Sequence, residues 1–196
     1  MPRPTHLSLA LMLATFAAAP AALAQAYPTK PVTIVVGYPA GGSTDLTGRT
    51  LGDALAKELG VPVVIENLGG AGGAIGAQKV ASAAPDGYTL LVGANNELAI
   101  SKLVTKTTRY DLKDFTPIGL IASQPMVLVA SPTAGVKNLD EFLAKVKAAP
   151  GKFSYGSSGI GTALHLAGEM VKERAGLFMT HIPYRGVAPL TTDLVG

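Results

Sequence analysis

The strongest constraint on this chain is a repeated succession of short apolar run, glycine-rich turn and helical stretch. Val32-Thr33-Ile34-Val35-Val36 is a β-branched run of the kind buried on both faces of a sheet. The turn cluster Pro39-Ala40-Gly41-Gly42-Ser43-Thr44-Asp45 follows it. Leu51, Ala54, Leu55 and Leu59 then recur at helical spacing until Gly60 and Pro62 stop the helix. A second strand is expected from Val61 to Glu66, a second glycine turn over Gly69-Gly70-Ala71-Gly72-Gly73, and a small-residue helix from about Ala74 to Ala83. Pro85-Asp86-Gly87 turns the chain into a third strand, Tyr88 to Val92. Alternation of this type predicts an α/β fold with a parallel sheet and right-handed crossovers.

The rhythm breaks between Phe115 and Ala130. Two apolar runs, Ile118 to Ala122 and Met126 to Ala130, are separated only by Ser123-Gln124-Pro125, with no helix between them. This reads as a crossing between domains, with a first lobe over 25–117 and a second over 118–196. The α/β pattern then resumes. Asn138 stands three residues before Glu141 as a capping pair, and Leu139, Phe142, Leu143 and Val146 build an apolar stripe. Strands are expected over Phe153 to Ser157 and Phe178 to Pro183, with a helix from Gly161 to Ala175 between them.

Residues 1–24 read as a secretory leader rather than as part of the fold. Arg3 and His6 precede an apolar run, and Ala22-Leu23-Ala24 offers a small-x-small cleavage site before Gln25. The run is shorter than the roughly 20 residues of a membrane span. Export to the periplasm is therefore expected. With no cysteine among 196 residues, disulfides, thiol catalysis, cysteine-ligated zinc, iron–sulfur clusters and a lipoprotein thioether are excluded. The 16 basic and 13 acidic residues are interspersed, so the chain lacks the basic stripe that nucleic-acid binding needs.

Chemistry is expected where strands end and helices begin, because exposed N–H groups and helix dipoles favour anions there. Gly41 and Gly42 permit close backbone approach, and Ser43 and Thr44 add hydroxyls. Ser157, Ser158, Gly159, Gly161 and Thr162 repeat the design, and two such turns facing each other would clamp a carboxylate. Ordinary capping of strand–helix turns accounts for the same residues. Enzyme motifs fail. Neither turn continues into the Gly-Lys-Ser/Thr of a phosphate loop, and Gly69 to Gly76 matches a dinucleotide fingerprint only loosely. Ile160 stands where a hydrolase elbow requires glycine. His165 and His181 read as structural hydrogen-bonding residues, and no histidine–carboxylate cluster suggests a metal. No cofactor is expected. Tyr38 and Tyr184 flank the two turns, as pocket walls or as core.

In these same residues the chain resembles the Bug-type extracytoplasmic receptors of tripartite tricarboxylate transporters. The likeness begins at Tyr27-Pro28-Thr29-Lys30-Pro31 and Val35 to Asp45, and continues through Glu66-Asn67, Ala84 to Leu91 and Asp114-Phe115. It resumes at Tyr155 to Thr162, His165 to Glu169 and His181 to Gly186, covering essentially the whole chain after the leader. The resemblance implies a type II periplasmic-binding-protein clamp of two domains that captures a small organic carboxylate and delivers it to transporter subunits in the membrane. It implies ligand contacts from Tyr38, Pro39, Ala40, Gly41, Gly42, Ser43, Thr44 and Asp45 on the first lobe, with Asn95 at the cleft mouth. Ser157, Ser158, Gly161, Thr162 and Tyr184 are the contacts implied on the second. Two other readings are kept: an exported hydrolase with Ser157 or Ser158 activated by His165, and a sensor that docks on a histidine-kinase ectodomain. Members of such a family are about twice the size of a typical domain. The clamp is thus expected to be incomplete here, stopping at Asp193-Leu194-Val195-Gly196 without the segment that returns to the first lobe.

Overall fold

The computed structural model describes residues 26–196; the proposed leader lies outside them. Strand β1 (Val32–Val36) is the middle of a three-stranded parallel sheet, flanked by β2 (Val63–Asn67) and β3 (Thr89–Val92) in the order β2-β1-β3. Ile34 pairs with Ile65 on one side and with Leu90 on the other. The central position follows from composition: Val32, Ile34, Val35 and Val36 are fully buried, each contributing roughly 1.5–3 kcal/mol of apolar burial.

Helix α1 (Ser43–Leu59) packs on the face carrying Ile34, Val36 and Val92, with Leu51 and Leu55 against them. It lies close to the sheet because two glycines one turn apart face it. A methyl carbon placed on Gly48 would come within 2.9 Å of Val36 Cγ2, and one on Gly52 within 2.9 Å of Ile65 Cδ1. Gly60, at φ +67°, ends the helix in the left-handed conformation. Helix α2 (Ala74–Ala81) covers the opposite face, where Ala74 and Ala77 meet Leu91, Tyr110 and Phe115. After β3 the chain makes a π-helical turn, Asn96–Ile100, that runs into the short α3 (Ser101–Val104). The sequence pattern does not anticipate this stretch, because the buried residues are Asn96 and Glu97 in the turn and Ser101 at the start of α3.

From Thr116 to Ala130 no helix or strand is formed, and Ile118, Leu120, Val127 and Leu128 are exposed. The second lobe holds helix α4 (Leu139–Ala148), strand β4 (Ser154–Ser157), helix α5 (Ala163–Ala175), strand β5 (Thr180–Pro183) and helix α6 (Val187–Val195). Strands β4 and β5 pair in parallel. Asn138 caps α4 as its spacing to Glu141 predicts: Asn138 Oδ1 accepts the Glu141 N–H at 2.9 Å. Val146, Leu177 and Met179 form the core of this lobe, with Phe142, Phe153 and Val171 around them.

Candidate functional site

The first turn leaves the C-terminal end of β1 through the buried Tyr38. Its one carboxylate, Asp45, points inward rather than toward solvent. Asp45 Oδ2 accepts the Gly41 N–H at 2.8 Å and Arg49 Nε–H at 3.0 Å, while Oδ1 accepts Asn67 Nδ2–H at 2.9 Å. Burial opposes the charge, but the hydrogen bonds from Arg49, Gly41 and Asn67 outweigh it and hold this carboxyl below the usual range. Asn67 also donates to the Tyr38 carbonyl at 3.0 Å, so the turn is pinned at both ends. Gly42, buried, is the N-cap of α1 and supplies no side-chain cap. The first helical bond runs from Leu46 N–H to Gly42 C=O, so the N–H groups of Ser43, Thr44 and Asp45 have no intrahelical acceptor. The hydroxyls of Ser43 and Thr44 bond to none of the described residues. Pro39 and Ala40 form the outer lip of the turn.

The second turn is more heavily cross-linked. Ser157 is fully buried: its Oγ accepts the Gly159 N–H at 3.2 Å and meets His181 Nε2 at 2.7 Å. Thr162 is the N-cap of α5, donating to the Gly159 carbonyl at 2.8 Å and accepting the His165 N–H at 3.4 Å. His165 Nδ1 accepts the Gly161 N–H at 3.0 Å, and its ring stacks on His181 at 4.1 Å, which in turn stacks on Tyr155. Burial and the neighbouring His165 push His181 below its ordinary pKa. Ser158 alone keeps its hydroxyl unengaged. It is 5% exposed and hydrogen-bonds to no described residue, while among the described residues no buried side-chain polar atom lacks a partner. Its residual accessible surface therefore includes the hydroxyl.

These turns meet across the lobes. A methyl carbon placed on Gly186 would lie 2.9 Å from Pro39 Cδ, and one on Gly72 3.1 Å from Thr162 Cγ2. One placed on Gly41 would sit 3.8 Å from Ala188 Cβ, which belongs to the first turn of α6. Helix α6 is capped by Gly186 without a side-chain cap, just as α1 is by Gly42. The two uncapped helix N-termini thus lie next to each other, with the Ser158 turn beside them. Such ends carry a partial positive charge and unpaired N–H donors. Tyr184 stands behind this rim, its hydroxyl donating to Asp193 Oδ2 at 2.9 Å. A hollow of about 350 Å³ lined by Arg49, Asp53, Val63 and Ile65 lies at the β2 side of α1 and is linked to the first turn through Arg49, which donates to Asp45.

Residues 47–196 match the profile of the tripartite tricarboxylate transporter family receptor. The chain belongs to that family. Three similar solved structures are periplasmic binding protein BugD (39% identity, TM-score 0.76), R. palustris Rpa4515 with adipate (35%, 0.84) and MatC from Rhodopseudomonas palustris with bound malate (32%, 0.79). Each aligns with 86% of this chain and with 56% or 57% of its own. The curated relatives that match are 35–42% identical, and the chain spans about half their length, 49–58%. The chain thus shares the type II clamp fold expected from its sequence, over part of that fold's length, and its structural neighbours are periplasmic binding proteins.

Within the family fold the structure separates the expected contact residues by what their polar groups already do. Tyr38, Asp45, Ser157 and Thr162 have theirs committed internally, whereas Ser43, Thr44 and Ser158 do not. Asn95 is exposed, while its neighbour Asn96 is buried and reaches the second lobe: Asn96 Oδ1 accepts the Ala163 N–H at 2.7 Å. Sequence reading passed over Asn96, and placed Gly72 in the second glycine turn and Gly186 at the end of the His181 to Gly186 motif without assigning either to the site. His165 contacts neither serine through a hydrogen bond, and the serine that does meet a histidine, Ser157, is sealed from solvent. A nucleophile needs both an adjacent base and access, and the hydrolase reading supplies them together at neither serine.

Proposed function

We propose that the chain forms the ligand-gripping part of a periplasmic receptor for a small dicarboxylate, delivered to a tripartite transporter in the membrane. The cleft between the Pro39–Asp45 and Ser157–Thr162 turns is the binding site. The carrying observation is the juxtaposition of two uncapped helix N-termini, α1 and α6, with their N–H donors on one cleft and the free Ser158 hydroxyl beside it. The only carboxylate of the first turn is turned away onto Arg49 and Asn67, so an incoming anion is not repelled. One carboxylate group of the ligand meets the first turn and the other the second. Malate and adipate, present in two solved relatives, are the probes of choice because both carry two carboxylates. Export through cleavage of the 1–24 leader supplies the location.

Calorimetric titration of the chain with malate and adipate tests this reading. Saturable binding is expected, lost in Gly42→Val. The Val side chain would enter the cleft without disturbing the fold, since the nearest atom to a methyl carbon at Gly42 is Pro39 O at 3.9 Å. Equal heats for the wild-type chain and Gly42→Val with both acids would remove the first turn from the site.

A further inference from the structure

Behind the cleft lies a buried polar chain that starts on the first lobe and ends on the second. Glu97 is 1% and Asn96 8% exposed. Tyr38 Oη has three polar neighbours: the Gly72 carbonyl at 2.9 Å, Glu97 Oε2 at 2.8 Å and Asn96 Nδ2 at 2.7 Å. A phenol has one proton to donate. The Gly72 carbonyl only accepts, and the Asn96 nitrogen only donates. With Glu97 ionised, two acceptor oxygens would compete for that single proton, and one would face Tyr38 Oη with no hydrogen between them. A carboxylic acid at Glu97 completes the count. Glu97 then donates to Tyr38, Tyr38 donates to Gly72, and Asn96 donates to the remaining lone pair of the phenol. Glu97 Oε1 accepts the Ala94 N–H at 2.9 Å in either state. With its nitrogen held by Tyr38, the Asn96 carboxamide must present Oδ1 to Ala163, the first residue of α5.

We propose that Asn96 is the positioning residue of the cleft, latching α5 to the first lobe through Ala163, and that the polar chain supporting this latch is fully bonded only while Glu97 carries its proton. The groups facing Glu97 are Tyr38 from the first turn, Tyr110 from the segment after α3, and Ala94 from its own loop. Tyr110 Oη donates to the Glu97 carbonyl at 2.7 Å. Among the described residues no lysine, arginine or histidine bonds to Glu97; Lys102, on α3, is paired with Asp111. Burial is accordingly the main cause that raises its carboxyl above the ordinary range. A group whose proton affinity is higher in the folded state stabilises that state below its unfolded pKa, and the gain disappears as pH rises through the folded value. The junction between the lobes is therefore firmest below the Glu97 pKa and loosens as pH rises through it.

No ligand is needed for the test, so its failure is distinct from a failure of the dicarboxylate reading. Hydrogen exchange of the Ala163 amide in the whole chain, corrected for intrinsic rates, reads the latch, and the ¹³C shift of the Glu97 carboxyl reads the proton. Glu97 is expected to titrate above an ordinary glutamate, with Ala163 protection falling over the same pH interval. Asn96→Ala should lower Ala163 protection about tenfold at every pH, as expected for one buried hydrogen bond, while Val92 in β3 keeps its own. Glu97→Gln retains a donor toward Tyr38 and an acceptor toward Ala94, so it should keep Ala163 protected and remove the pH dependence. An ordinary titration of Glu97, unchanged Ala163 protection in Asn96→Ala, or its loss in Glu97→Gln would each overturn the proposal. If Asn96→Ala does not fold, the wild-type titration and Glu97→Gln decide.

Discussion

Ser158 and Thr162 sit four residues apart on one turn, yet their hydroxyls have opposite duties. Thr162 caps α5 and is fully enclosed, so Thr162→Ala should cost about 0.5–2 kcal/mol of stability in denaturant titration. Ser158 hydrogen-bonds to none of the described residues, so Ser158→Ala should leave the denaturation midpoint unchanged. It should instead weaken dicarboxylate binding about tenfold or more, since a hydrogen bond to a charged group is worth about 1.5–3 kcal/mol. A midpoint shift without an affinity change would reverse the two assignments. Asp45 adds a pH-dependent contribution of its own. Its carboxyl is held below the usual range, so its stabilising effect is present above the unfolded carboxylate pKa and is lost as pH falls through the folded value. Asp45→Asn should therefore destabilise the chain near neutral pH and flatten its acid limb in pH-dependent melting. None of these divisions of labour is legible in residue type: Ser and Thr at a strand–helix turn look alike until the cap geometry is known.

At the scale of elements, the apolar patterns were readable because each records a simple burial. The β-branched Val32–Val36 run is the central strand, and Asn138 with Glu141 marks the start of α4. The stretch from Asn96 to Val104 was not readable. Its buried face is polar, so it has no apolar stripe, and its partners Tyr38 and Ala163 are 58 and 67 residues away along the chain. Helix α1 also began earlier than its leucines indicate, at Ser43, because the glycine-rich turn serves as its N-terminus. The glycines inside α1 lead to a prediction that runs against helix propensity. Gly48→Ala would ordinarily gain about 1 kcal/mol in a helix. Here the added carbon meets Val36 Cγ2 at 2.9 Å, on a fully buried β-branched side chain in the central strand. Overpacking of this kind costs about 1–3 kcal/mol, so the variant should unfold at lower denaturant than the wild type.

Across the whole molecule, the stretch between the lobes stands apart from both cores. Ile118, Leu120, Ile121, Met126, Val127, Leu128 and Val129 are all exposed and lie on backbone without strand partners. These seven side chains make a contiguous sequence patch of the kind that binds hydrophobic dyes and invites association. The chain should therefore enhance the fluorescence of such a dye, and limited proteolysis should cut first between residues 116 and 131. Slow cleavage there, with no dye response, would show that the segment is covered in solution. The sequence reads these runs as a crossing between lobes, but their exposure depends on which strands are available to pair, which no local pattern states. The strand order β2-β1-β3 has a temporal side as well. The middle strand is the first to leave the ribosome, and its second neighbour is complete only at Val92. Until then one edge of the most apolar strand in the chain stays open, and closing it requires a parallel pairing across two long crossovers. Slow acquisition of the sheet would suit the export proposed above, since the topology that brings the two turns together also delays folding.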